Sequence, residues 1–320
     1  MSFKDNVAML QISSEVLESI LKTRQNIKAK GYDLDWLKNS DIYVSGINEH
    51  LQEFFRSVVR NPKDKSTWEI LTPDAFNRYG KELTAPKKLE LFWRDMTNQA
   101  NAYSILAAFK TDSLLRSLVR AANAKDLVAP SMLARGLLEH ASSVYSNAEV
   151  ILSALERVAI HPNPVVISEE KASSLESTLV RSIWGTRIGR GLDAKKKPIW
   201  EASPYLGNSM DATNIMTQLQ KLSASKAGLD HSVLRIYEWL SDIVHPATQG
   251  YRIFWDDPIE IAEGHTQHTL CPQGGSDSGY MQILALWATG YSTVVLTNLL
   301  MKINSAVGNM YKHLDTAYAP

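Results

Sequence analysis

The chain is predicted to be all-α, a multi-helix bundle, and three observations carry that expectation. Apolar residues recur at three- and four-residue spacing through most of its 320 positions. Helix start and stop signals bracket those stretches, as at Ala129-Pro130-Ser131 and His245-Pro246. Only residues 251–275 break the pattern, with short β-compatible runs that predict a small irregular or β-hairpin insertion.

In chain order, Val7 to Lys30 places Val16, Leu17, Ile20 and Leu21 on one helical face and closes at Gly31. Ser40 to Arg60 repeats the pattern before Asn61-Pro62. Pro62, Pro73, Gly80 and Pro86 then crowd one stretch, which divides an N-terminal helical layer, 1–85, from a main helical domain, 86–320. Lys88 to about Ala124 and Ala129 to about Ala159 are two long helical stretches, the second stopped by His161-Pro162-Asn163-Pro164. Further helices are expected at Ser168–Trp184, Asp211–Ser225 and Asp230–His245, where Pro246 forbids continuation. Tyr251-Arg-Ile-Phe-Trp255 and Ile259-Glu-Ile261 are the two β-compatible runs. Trp93, Trp239 and Trp287 sit among aliphatic neighbours and read as core.

The closing helix is distinctive, because Ser278 to Met301 carries no Asp, Glu, Lys or Arg over 24 residues. That length would cross a bilayer. Gln282, Thr289, Gly290, Ser292, Thr293, Thr297 and Asn298 recur through it, so a buried helix covered by neighbours is expected instead of a membrane span.

Lys plus Arg equals Asp plus Glu at 34 each, which excludes a global field drawing the chain to nucleic acid or anionic lipid. A single cysteine, Cys271, excludes an intrachain disulfide framework. The opening Met-Ser-Phe-Lys-Asp-Asn lacks the apolar core of a signal peptide. A cytoplasmic protein is expected. No cofactor motif is found. His265-x2-His268-x2-Cys271, with His245 or Asp257 as a fourth group, does not reproduce a zinc spacing, so no metal is expected.

Two segments put polar groups into apolar helical stretches. On the first, Arg135 and Glu139 lie one turn apart on a ridge continued by Ser142 and Ser146, beside a second ridge of Gly136, His140, Ser143 and Asn147. The plain expectation is a solvated i,i+4 ion pair of a few tenths of a kcal/mol. Gly136 argues for more, since glycine costs about 1 kcal/mol against alanine inside a helix and suggests close approach of another segment. On the second, Tyr237, Ser241 and His245 follow at i, i+4 and i+8. His245 occupies the final turn, where unpaired carbonyls favour the imidazolium. No nucleophile elbow surrounds Ser241, which disfavours a serine hydrolase.

The Arg135-x3-Glu139 helix, the Tyr237-x3-Ser241-x3-His245-Pro246 helix end, Gly250-Tyr251 and the long closing helix resemble a bacterial all-helical family of unknown function, over about Lys88 to the C-terminus. Arg135, four residues, then His140 also resembles the motif of the HEPN superfamily, which includes metal-independent ribonucleases of toxin and phage-defence systems. Gly136 departs from that motif, which often has a polar residue after the arginine. That resemblance implies a dimer with a composite site; the chemistry of metal-independent RNA cleavage then gives Arg135 the phosphate, His140 the proton transfer and His245 the place of a second acid–base group. On an ideal helix Arg135 and His140 diverge by about 140°.

Between Trp184 and Trp200, the cations Arg187, Arg190, Lys195, Lys196 and Lys197 and three glycines form a basic linker. Backbone amides and cations suit phosphate, and the tryptophans suit base stacking. Two functions are therefore expected: an RNA-cleaving or RNA-binding effector, or a non-enzymatic helical interaction module whose polar centre fixes helix register. RNA, a second copy or another protein are the expected partners, without a membrane.

Overall fold

The structure, a computed structural model, describes residues 10–29, 36–37, 39–58, 71, 78, 80–159, 169–184, 214–224, 232–245 and 248–317. It is an all-α, multi-helix protein with, among the described residues, one two-stranded sheet. The described helices are α1 (Ser14–Ala29), a π-helical turn (Asp41–Ser45), α2 (Ile47–Ser57), α3 (Ala85–Asn123), α4 (Ala129–Ala159), α5 (Glu169–Trp184), α6 (Ile215–Ala224), α7 (Ser232–Val244), α8 (Thr248–Arg252) and α9 (Ser278–Ala317). Strands β1 (Ile259–Ala262) and β2 (His265–Gln267) precede α9.

The chain divides into two units that are each discontinuous in sequence. Unit 1 comprises Met1–Arg60, Lys110–Ser143 and Ile215–Thr297; unit 2 comprises Asn61–Phe109, Val144–Asn214 and Asn298–Pro320. The three long helices α3, α4 and α9 each contribute residues to both.

In unit 1 the chain before α1 is held by amide side chains. Asn48 accepts from the Ile12 N–H at 2.9 Å and donates to the Ile12 carbonyl at 3.0 Å, while Asn123 makes the same two-way clamp on Ser13 and Gln11. Asp126 then starts α4 by accepting the N–H groups of Val128 and Ala129, donors that a helix N-terminus otherwise leaves unpaired. On α7, Val233, Ile236, Tyr237, Leu240 and Ile243 form the buried stripe.

The first half of α9 explains its charge-poor yet polar sequence. Thr289, Thr293 and Thr297 each donate to the carbonyl four residues earlier at 2.7 Å, so their hydroxyls are satisfied within the helix. By length and composition α9 could cross a membrane, and 83% of its most apolar window is buried in the protein. Gly290 marks its tightest contact: a Cβ built there would lie 2.2 Å from the Tyr43 carbonyl oxygen. Around it, Tyr43 packs edge-on to Trp287 and Tyr291, whose own rings stack at 5.0 Å.

Unit 2 is tied by side-chain hydrogen bonds across sequence-distant segments. Asn147 donates to the hydroxyls of Tyr103 and Ser182, Ser104 donates to Asn304 and Tyr311 donates to Asn98. Burial pushes the Tyr103 hydroxyl far above the usual phenol range, so it stays neutral. Trp93 is fully buried beside Phe92.

The expected insertion before α9 is a hairpin whose first strand covers the predicted Ile259–Ile261 run and whose partner is not the predicted 251–255 run. Tyr251 and Arg252 finish the short α8, and β1 pairs with β2, antiparallel, instead of with residues 251–255. Trp255 makes only an isolated bridge to Leu270. The local reason is Gly250, whose missing Cβ lets α8 lie against the end of α7: a Cβ there would sit 2.9 Å from the Asp242 carbonyl oxygen.

Candidate functional site

Within unit 1, α4 and α7 bring three of the expected site residues together. Arg135 donates from Nη2 to Tyr237 Oη at 3.1 Å, and Tyr237 Oη donates onward to Glu139 Oε1 at 2.9 Å. The Arg135 Nε lies 3.2 Å from the same Oε1, close enough for Coulomb attraction but out of line for a hydrogen bond. The guanidinium also stands over the Tyr237 ring at 5.2 Å from its centroid.

Burial grades across this cluster. Tyr237 is 7% exposed, and the side chains of Arg135 and Glu139 are 19% and 36% exposed. The pair is thus neither a solvated surface bridge nor a desolvated core pair. The charges cancel locally, and the phenol hydroxyl uses its single donor and one of its acceptor positions.

The remaining expected residues take separate places. His140 is buried, and its Nε2 lies 3.2 Å from Thr111 Oγ1 on α3. Ser241 donates to the Tyr237 carbonyl at 2.6 Å, within its own helix. His245 is exposed just past α7; its backbone N–H reaches the Ser241 carbonyl, and its imidazole makes no hydrogen bond among the described residues. Trp184 ends α5, and Arg187, Arg190, Lys195, Lys196 and Lys197 lie outside the described residues.

The expectation at Gly136 is corrected. Among the described residues a Cβ there would meet nothing within 4 Å, so no other described segment approaches it. Glycines that do admit a close backbone contact include Gly46, Gly250 and Gly290, beside Gly275, whose Cβ would fall 2.0 Å from the Trp255 carbonyl oxygen.

Thr111, the partner of His140, went unnoticed in the sequence because it lies 29 residues away on α3, in no recognisable motif. Asp95, Gln99 and Glu176 in unit 2 were missed likewise. Asp95 accepts from the Leu71 N–H and from the Gln99 amide, each at 2.8 Å. Burial, then the charge of Asp95, pushes the Glu176 carboxyl up to about 7, while burial raises Asp95 against its two hydrogen bonds.

Among the described residues no three His, Cys, Asp or Glu side chains are grouped to hold a metal ion. The Cys271 thiol instead donates to Asp256 at 2.9 Å. That hydrogen bond, foremost, raises its pKa above the ordinary thiol value. Comparison with protein-family models, curated proteins and solved structures finds no match to this chain.

Proposed function

We propose that this protein is a non-enzymatic helical interaction module in which the Arg135–Glu139–Tyr237 cluster fixes the register of α4 against α7. The observation that carries this is the Tyr237 hydroxyl, which accepts from the cation and donates to the carboxylate. A group positioned for catalysis keeps a lone pair, proton or charge free for the reactant. Here the cation and carboxylate face each other through a phenol.

The same bonds are directional, so a slip of α7 by one residue breaks both hydrogen bonds of Tyr237 to α4. A polar centre of this kind selects one packing arrangement. Metal-independent RNA cleavage, by contrast, needs Arg135 and His140 on one phosphate. Arg135 is held by Glu139 and Tyr237, and His140 is buried against Thr111.

The test uses a mixed single-stranded and structured RNA pool, in chelator, with protein in excess over RNA. Intact RNA is the expected result. Cleavage by the wild type that disappears in Arg135→Ala and His140→Ala, both folded by circular dichroism, would replace the module with the ribonuclease.

A further inference from the structure

Five of the ten most exposed large apolar side chains among the described residues fall between positions 251 and 270. Tyr251 is 59%, Trp255 40%, Ile259 62%, Ile261 63% and Leu270 62% exposed. Every residue of β1 and β2 is exposed, and among the described residues the sheet has only these two strands, so each keeps an outer edge that no described strand pairs. A two-stranded ribbon on its own is marginally stable.

This ribbon is nevertheless anchored firmly at its base. Asp256 N–H donates to the Thr269 carbonyl, Cys271 N–H to the Phe254 carbonyl, and the N–H groups of Gly275 and Ser276 to the carbonyls of Ile253 and Trp255. Asp256 also takes the Cys271 thiol. The fold therefore presents apolar strands to solvent on a fixed base.

Residues 253–270 carry acids and no Lys or Arg. Asp256, Asp257, Glu260 and Glu263 flank or interrupt the apolar positions, and Arg252, the nearest cation in sequence, is paired with Asp277 at 3.3 Å. β1 also carries a bulge between Glu260 and Ala262. Edge acids and bulges discourage pairing with an identical edge, because a second copy brings the same four carboxylates to the same place. They do not repel a strand of opposite charge.

We propose that β1 is a docking edge for an extended, cationic segment of a partner protein, which adds as a third strand with basic and apolar residues alternating. Backbone bonds to the free edge supply affinity; isoleucine contacts and the acids select the sequence. The inference rests on the interaction-module function above and names its partner class. Lysines of the partner meet Glu260 and Glu263, and its apolar residues cover Ile259 and Ile261.

The probe is a labelled six-residue peptide alternating lysine and valine, followed by fluorescence anisotropy against the full chain. Saturable binding is expected, about tenfold tighter than for a block peptide of the same composition. The double variant Glu260→Lys, Glu263→Lys should lose that binding by about tenfold and gain an alternating glutamate–valine peptide, with an unchanged melting curve. Equal binding of alternating and block peptides would reduce the effect to bulk charge and overturn strand addition. Concentration-dependent dimerisation abolished by Ile261→Ser, partition onto zwitterionic vesicles, or no peptide binding would each overturn it as well. RNA integrity read on the same samples separates failure of this edge from failure of the non-enzymatic function.

Discussion

In unit 1 the Glu139 carboxylate faces a guanidinium and a phenol hydroxyl; in unit 2 the Asp95 carboxylate is held by a backbone N–H and an amide, with Glu176 as an acidic neighbour. Both clusters place ionisable groups inside helical packing. The first balances its charge with a cation. The second relies on neutral donors, so burial raises both carboxyls, the Asp95 charge raises Glu176 further, and the Glu176 charge depends on pH in the neutral range.

The strongest way to break the comparison is Arg135→Ala. It strips Glu139 and Tyr237 of their cation, and a loss of about 2–3 kcal/mol is expected, between exposed and fully buried pairs. Urea denaturation measures it. A change below about 0.5 kcal/mol would place the pair with ordinary surface bridges.

Tyr237→Phe should cost about 1.5–2 kcal/mol, the lower part of the range for a hydrogen bond to a charged group. Combined with Arg135→Ala, the two losses should add to less than their sum, since both remove one shared bond. Strict additivity in the double-mutant cycle would show that the phenol does not couple the charges.

Glu176→Gln sharpens the other side and is expected to be smaller, because Glu176 is partly solvated. The folded protein holds the Glu176 proton more tightly than the unfolded chain does. Its contribution to stability is therefore present below the ordinary value of 4.5 and declines as pH rises to about 7. The variant should melt above wild type at pH 8 and alongside it at pH 4. An identical difference at both pH values would remove the titration from the account.

Gly136→Ala carries the smallest effect. With open space at the Cβ position, it should stabilise α4 by about 0.5–1 kcal/mol. Destabilisation in thermal melts would reinstate a close neighbour there.

Helix positions were legible because periodicity and stop signals are local: α4 begins at Ala129 and α7 ends at Val244 beside Pro246, as the spacing predicts. The Arg135–Glu139 pairing was legible too, since one turn separates the residues. Tyr237 as its third member was not, because nothing local states that α4 meets α7. The glycines show the same limit. A glycine in a helix announces that a side chain is missing, and Gly136 and Gly290 look alike in sequence; only long-range packing separates a vacant position from a contact. In the hairpin, Tyr251–Trp255 has strand-like composition, but Gly250 lets that chain begin as α8 against α7.

At Gly290 the backbone of the Asp41–Ser45 turn lies so near α9 that only hydrogen fits between them. One helical turn earlier stands Leu286, and one turn later Val294. Sliding α9 along its axis by a turn would drive a branched side chain into the Tyr43 carbonyl. The contact therefore works as a key in a keyway: α9 can leave this position by separating from the turn, but it cannot ratchet past it, and motion within unit 1 must be sought in elements other than this helix.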